Sequence, residues 1–296
     1  MKLGYLLTVG VLAVAVLAEG TIPLRAQTNI PGTAGPEMVR NLRPSGRPVI
    51  PLFDGWHSNS DGSYGLCFGY FNLNLEQELD IPLGPDNFIE PTRFDGGQPT
   101  HFRPVPTRLE GYDRRYYCVF SVNLPPGSES ERVVWTLRID GESYSVPGHI
   151  QAPSYKIEEP DQPGRNSVAP LVRFLDPAGP EVTGRSRSGD RMAGPVTTRV
   201  GDPLSLRISV SAPMTGNPHS GFERVRALWV KHRGPGNVTF RPTDQMSIPD
   251  GMEVLTRGTF SEPGDYVLRV QAYEGRSPWG AQCCWTNAYV NVTVTP

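Results

Sequence analysis

Residues 204–210 read LSLRISV: Leu204, Leu206, Ile208 and Val210 fall on one face, and Ser205, Arg207 and Ser209 fall on the other. The same alternation returns at Tyr266, Leu268, Val270 and Ala272 against Val267, Arg269 and Gln271, and again at Val290, Val292 and Val294 against Asn291, Thr293 and Thr295. A period of two with one apolar face marks an antiparallel strand covered on one side and wet on the other. Prolines exclude the main competing structure. There are 31 in 296 residues, and the longest stretch without one is Leu52–Ile81. A proline inside a helix costs ~3 kcal/mol, so long helices have almost nowhere to sit.

Working outward from these strands, Asp140-Gly141 is a two-residue hairpin signal. It predicts Ile139 opposite Glu142, Leu137 opposite Tyr144, and Trp135 opposite Val146, which keeps the apolar pairs on one face. Further strands are expected near Tyr64–Asn72, Arg115–Asn123, Val133–Ile139 and Ser143–Val146. Two blocks result, 49–152 and 171–296. They are joined by a polar, proline-bearing linker over 153–170 that has room for one short strand at Tyr155–Ile157. Residues 19–48 form a Pro/Gly-rich leader expected to be poorly ordered. The fold class is therefore all-β, with two antiparallel β-sandwich domains in tandem.

The stretch 260–270, FSEPGDYVLRV, resembles the late strands of PKD-like and related immunoglobulin-like modules of exported bacterial proteins. Pro263-Gly264 stands at their turn and Tyr266 opens the inward-facing strand. Trp229, within Arg226–Lys231, stands on the Trp-bearing middle strand. The resemblance implies an immunoglobulin-like sandwich for the second block and no chemistry. The chain as a whole also resembles exported bacterial proteins. In the first block Cys67 and Cys118 lie 51 positions apart with Tyr116 two before the second, but Trp56 precedes both and Trp135 follows both. An immunoglobulin domain carries its Trp between the cysteines, so this block is read as a sandwich without that family name.

Export is read from Met1–Ala18, MKLGYLLTVGVLAVAVLA. Lys2 leads an apolar run, and Val16 and Ala18 stand at the small-residue positions of a signal-peptidase site, with Ala26 as a second candidate. The run is shorter than the ~20 residues a spanning helix needs. A periplasmic or extracellular protein follows, with no stable membrane insertion once the signal is removed. The 28 Lys and Arg against 30 Asp and Glu give a net charge of −2 without a basic block, which argues against a nucleic-acid partner. Gly and Pro make up about a fifth of the chain, just short of the ~25–30% that signals low complexity.

Four cysteines allow three pairings. If Cys67 joins Cys118, the neighbours Cys283 and Cys284 remain, whose Cα atoms lie only ~3.8 Å apart across a trans peptide. That is below the usual ~4.4–6.8 Å of a disulfide. A vicinal bond, free or intermolecular thiols, and cross-domain pairing all stay open. The five histidines, His57, His101, His149, His219 and His232, are scattered and expected in exposed loops. Neither adjacent cysteines nor these histidines match a zinc spacing, so no metal is expected. There is no G-x-S-x-G elbow and no phosphate-cradling loop, so no catalytic residue or cofactor is assigned. Asn59–Ser63, which superficially resembles a calcium loop, reads as a hairpin turn between Trp56 and Tyr64.

The remaining signal is topological. With Leu204–Val210 as strand B, Val225–Lys231 as C, Tyr266–Ala272 as F and Tyr289–Thr295 as G, the B–C and F–G loops emerge at one end of the sandwich. The first loop, 211–222, offers Met214, Asn217, His219 and Phe222; the second, 274–287, offers Trp279, Trp285 and the two neighbouring cysteines. Aromatic residues on loops held by a scaffold form a common recognition surface. The expected function is that of an exported, non-enzymatic recognition, adhesion or envelope-scaffold protein whose partner is an extracellular or envelope protein or glycan. The rival readings are an exported enzyme with an unrecognised β-sandwich active site and a subunit of a secreted fibre or surface layer. Intact-mass measurement of exported protein should find a chain beginning at Glu19 or Gln27; recovery of the full Met1 chain from a membrane fraction would overturn the signal reading.

Overall fold

The computed structural model describes residues 43–104, 115–157, 161–162, 167–184, 192–211, 225–242, 244–248, 251–274 and 285–296. The signal segment, the leader up to residue 42, and most of both candidate loops, including Cys283 and Cys284, lie outside the described residues. The described residues are strands and turns, and the only helices among them are two short 3-10 turns. The all-β class holds.

The first block contains β1 (Val49–Ser58), β2 (Tyr64–Asn72), β3 (Leu79–Asp80), β4 (Asn87–Glu90), β5 (His101–Phe102), β6 (Tyr116–Leu124), β7 (Val133–Ile139) and β8 (Glu142–Gly148). One sheet runs β1-β2-β6 and the other β4-β7-β8, with β3-β5 as a two-stranded ribbon. Phe68, Phe120 and Trp135 meet in the core, Phe120 and Trp135 edge to face at 5.0 Å. The β7–β8 hairpin has the predicted register, Ile139↔Glu142, Leu137↔Tyr144 and Trp135↔Val146. Asp140 (φ 52°) and Gly141 (φ 83°) both take the left-handed conformation that this turn demands. The Asn59–Ser63 turn closes β1 onto β2, with Asp61 accepting from the Ser63 backbone and hydroxyl.

A ribbon of β9 (Asp161–Gln162) and β10 (Ser167–Val168) leads into the second block. Where a short strand was expected at 155–157, there is a 3-10 turn over Pro153–Tyr155 and a single bridge from Lys156 to Trp56. Ala152 also accepts the Trp56 indole N–H at 3.0 Å, so this segment is tied to β1.

The second block contains β11 (Leu171–Asp176), β12 (Ala178–Val182), β13 (Met192–Arg199), β14 (Leu204–Ser211), β15 (Val225–Arg233), β16 (Val238–Arg241), β17 (Asp244–Ile248), β18 (Met252–Phe260), β19 (Gly264–Glu274) and β20 (Trp285–Thr295). Its sheets run β12-β11-β14-β18-β16 and β13-β20-β19-β15-β17, with β13 parallel to β20. The strands read as C, F and G are adjacent in one sheet as β15, β19 and β20, and B is β14 in the other. That is the immunoglobulin distribution. Trp229, Leu206, Ile208, Leu268 and Val270 share the core between them. At the corner before β19, the Tyr266 hydroxyl donates to the Glu262 carbonyl at 2.8 Å and accepts from the Gly236 N–H at 3.0 Å. A Cβ at Gly234, which has φ 141°, would collide with the Tyr266 ring, so this corner requires a glycine.

One expectation is overturned. The face of β19 read as wet is covered, with Arg269 5% and Gln271 3% exposed, and so is the start of β20 at Asn287. Further along β20, Asn291, Thr293 and Thr295 are half-buried or exposed, as expected. The first sandwich packs onto the covered part. Cys67, Tyr117, Cys118 and Ile157 join Leu228, Val230, Tyr273 and Trp285 in one buried cluster, and Cys67 and Cys118 are disulfide-bonded. Alternation of polar and apolar residues cannot tell a face exposed to water from one that meets the polar groups of another sheet.

The packing centres on a bulge in β6. Pairing with β2 steps from Phe68↔Phe120 to Tyr70↔Tyr116, so Gly69 alone faces Tyr117–Val119. Cys118 takes φ 41°, and its N–H donates to Asp54 Oδ2 at 2.6 Å. Asp54 is itself paired with Arg115. A Cβ on Gly69 would strike the Tyr116 carbonyl and the Asp54 carboxylate. Gly69→Ala should therefore lower the unfolding free energy by ~2 kcal/mol or more in urea titrations. Gly258→Ala, where the new Cβ makes only ordinary contacts of 3.6 Å or more, serves as the control. Equal effects from the two would refute the bulge account.

Candidate functional site

Bulges free backbone groups from the ladder, and here the second sandwich takes them up. The Cys118 carbonyl accepts from Asn287 Nδ2 at 2.8 Å. The Val119 carbonyl accepts from Arg269 Nη1 at 2.7 Å and from the Tyr289 hydroxyl at 3.2 Å. Nearby, the Thr100 N–H donates to the His232 carbonyl at 2.9 Å, His232 Nε2 bonds the Gly97 carbonyl at 3.0 Å, and Arg233 donates to the Gly96 carbonyl.

Beside this junction lies a half-open cleft of about 310 Å³. Glu78, His101 and Arg103 of the first sandwich face Lys231 and Trp229 of β15, with Phe240 of β16 closing the apolar end. The charges come from complementary strands. Asp80 pairs with His101 and Leu79 with Phe102, which sets Glu78 opposite Arg103. His101 Nδ1 lies 3.0 Å from Asp80 Oδ1 and its Nε2 lies 3.4 Å from Glu78 Oε2. Arg103 Nε is 3.6 Å from Glu78 Oε1. Lys231, only 5% exposed, reaches across to Asp80 at 2.9 Å and to the Gly236 carbonyl at 2.7 Å. Both nitrogens of His101 face carboxylates and have no lone pair free for a metal. No cluster of three or more metal-ligating side chains occurs among the described residues.

These contacts move the proton equilibria. Burial pulls His101 down, yet hydrogen bonds to Asp80 and Glu78 outweigh it and raise its pKa. Glu78 is lowered chiefly by its hydrogen bond to His101. Asp80 is pushed up by burial but lowered on balance by His101 and Lys231. His232 goes the other way: burial, then the charges of Arg269 and Arg233, hold it well below the usual histidine value and neutral.

The sequence-predicted residues fall into two groups. Met214, Asn217, His219, Phe222 and Trp279 lie outside the described residues. Trp285 opens β20 and is 1% exposed, buried in the cluster that holds Cys67 and Cys118. It acts there as a packing residue, with no ring face left toward solvent. The histidines are a second correction. His57, His101 and His232 are 2%, 8% and 2% exposed rather than on exposed loops. His57 lies on β1 with its ring over Gly65 of β2, and His101 and His232 lie where the two sandwiches meet. Glu78, Asp80, Arg103 and Lys231 were missed altogether. The readable signal was an acidic pair at 78 and 80 and a basic pair at 101 and 103, each with the spacing of one strand face.

No family model matches the chain, and no curated protein matches it. Several solved structures align with it at low scores. The D00-D0 domain of intimin is 9% identical, covering 83% of this chain and all of that one at a TM-score of 0.27. The adhesin InvE of Yersinia pseudotuberculosis is 10% identical, over 83% of this chain and 58% of its own, at 0.23. WR4, an MSP family member of C. elegans, is 14% identical, over 33% of this chain and 90% of its own, at 0.24. At scores this low the likeness carries no argument. No helix among the described residues is long and apolar enough to cross a membrane.

The two histidines make opposite contributions to stability. The raised His101 stabilises fully below the unfolded value of ~6.5, and its contribution is lost as pH rises through the folded value. The lowered His232 contributes fully above ~6.5 and loses that as pH falls. Asp80 and Glu78 contribute above ~4 and fail as pH falls through their depressed values. The Tm penalty of His101→Asn should therefore be larger at about pH 5.5 than at about pH 9, and that of His232→Asn should show the reverse order. Parallel penalties would refute the assignment.

Proposed function

We propose that this chain is an exported surface or envelope recognition module, built as two immunoglobulin-like sandwiches locked into one body. The observation that carries the reading is strand register. Val225 pairs with Glu274 and Tyr273 with Trp285, so the end of segment 212–224 and both ends of segment 275–284 lie at neighbouring points of one sheet, while the chain enters 212–224 from β14 of the facing sheet. That sheet is held from both sides, by its own sandwich core and by the first sandwich. Stems fixed in this way lower the cost of ordering a binding loop. Trp279, Phe222, His219, Asn217 and Met214 are the contact residues of this reading, and the partner is an envelope or extracellular protein or glycan. The interdomain charges serve the same end. Each cationic side chain of the cleft engages a carboxylate, and the Lys231–Asp80 pair ties one sandwich to the other.

The test uses the full exported chain in co-sedimentation with isolated bacterial envelopes, before and after protease or periodate treatment to separate protein from glycan receptors. Trp279→Ala with His219→Ala should weaken binding by about tenfold or more while leaving the Tm unchanged. Binding that is unaffected by the pair would overturn the loop reading. Turnover of generic ester, glycoside or peptide substrates that survives repurification would favour the enzyme reading instead.

A further inference from the structure

A second, nearly closed cavity of about 10 Å³ lies behind the cleft, between the sandwiches. Tyr70, Arg103 and Tyr116 line it from the first sandwich, and Lys231, His232 and Arg269 from the second. That volume holds one water-sized sphere.

Among the described residues the charges around it do not balance. Arg269 is buried, with one Nη on the Val119 carbonyl, but its Nε is buried without a hydrogen-bond partner. No carboxylate pairs with it among the described residues. Glu78 and Asp80, just outside, face three cationic side chains already: Arg103, Lys231 and His101. Burial, then the neighbouring Tyr116, holds Tyr70 firmly protonated, so it is a donor and not a counter-anion. Its oxygen accepts from the Arg103 N–H at 3.1 Å, and no acceptor for its own proton appears among the described residues. His232 is neutral. Even with His101 uncharged, Arg103, Lys231 and Arg269 outnumber Glu78 and Asp80 among the described residues.

We propose that this cavity binds a single halide ion, chloride in its natural setting, held by Arg269 and the Tyr70 hydroxyl at the junction of the two sandwiches. A buried guanidinium without a counter-charge is strongly disfavoured, and a water molecule in the cavity leaves that charge uncompensated. A monoatomic anion neutralises it and accepts the hydrogen bond of the Tyr70 hydroxyl. Polyatomic anions such as sulfate exceed the space. Because Arg269 also grips the Val119 carbonyl, the ion stabilises the junction rather than either sandwich alone.

The experiment is thermal melting of the full, oxidised chain near pH 7 in sodium chloride, bromide, gluconate and sulfate at matched ionic strength. Chloride and bromide should raise Tm saturably, by about 3 °C or more at concentrations well above the dissociation constant, while gluconate and sulfate should not. Tyr70→Phe should raise the half-saturating chloride concentration severalfold, and Arg269→Met should abolish the effect. Crystals grown in bromide should show an anomalous peak between Arg269 and Tyr70. If Arg269→Met does not fold, the Tyr70→Phe titration and the bromide peak decide. A Tm indifferent to halide, a halide effect unchanged in Tyr70→Phe or retained in Arg269→Met, or an empty or water-filled cavity in bromide would overturn the proposal.

Discussion

Two backbone carbonyls hold this molecule together. The bulge in β6 turns the carbonyls of Cys118 and Val119 away from their own sheet, and buried there unpaired, each would cost ~1–3 kcal/mol. Asn287, Arg269 and Tyr289 of the second sandwich satisfy them. The dependence runs both ways. Without the first sandwich, Arg269, Gln271, Asn287 and Tyr289 become ordinary residues on a wet sheet face; without the second, the bulge exposes polar backbone beside a disulfide. The apolar cluster around Cys67, Tyr117, Leu228, Val230 and Trp285 supplies the non-directional attraction. The hydrogen bonds to the bulge set the register in which that attraction acts.

The disulfide belongs to the same device. Cys118 sits at the left-handed position of the bulge, and its bond to Cys67 ties the displaced strand back to β2. Asp54 holds the same residue from the other side through its N–H. The strained conformation is thus fixed by a covalent bond, a carboxylate and a glycine at position 69, before the second sandwich reads it. An oxidising compartment, in which such a bond persists, therefore bears directly on how the two sandwiches meet.

What the sequence disclosed was local. The 140–141 turn fixed the register of β7 on β8 because two residues carry the whole signal. The alternation at 204–210, 266–272 and 290–294 gave the core faces correctly because the hydrophobic side is unambiguous. The outer face of β19 was misread because its polar residues, Arg269 and Gln271, meet protein instead of water. A second signal pointed the right way: Ala227–Val230 and Tyr116–Phe120 are unbroken apolar runs, and strands buried on both faces read in that manner. Those runs lie on opposite sides of the junction.

The charged cleft was illegible for a different reason. Its acidic and basic pairs are 21 positions apart at Asp80 and His101, and its lysine is a further 130 positions on. Only the fold makes them one cluster. The arrangement also explains why two histidines so close in space behave oppositely. His101 lies between carboxylates and gains from being charged, whereas His232, against Arg269, Arg233 and a carbonyl, gains from being neutral. Glu78 and Asp80 are gathered at the cleft, Asp54 is engaged by Arg115 and the Cys118 N–H, and among the described residues no carboxylate pairs with Arg269. A junction divided in this way loses the His232 contribution as pH falls and the His101 contribution as pH rises. It also leaves at its centre a cation whose natural counterpart is a small anion.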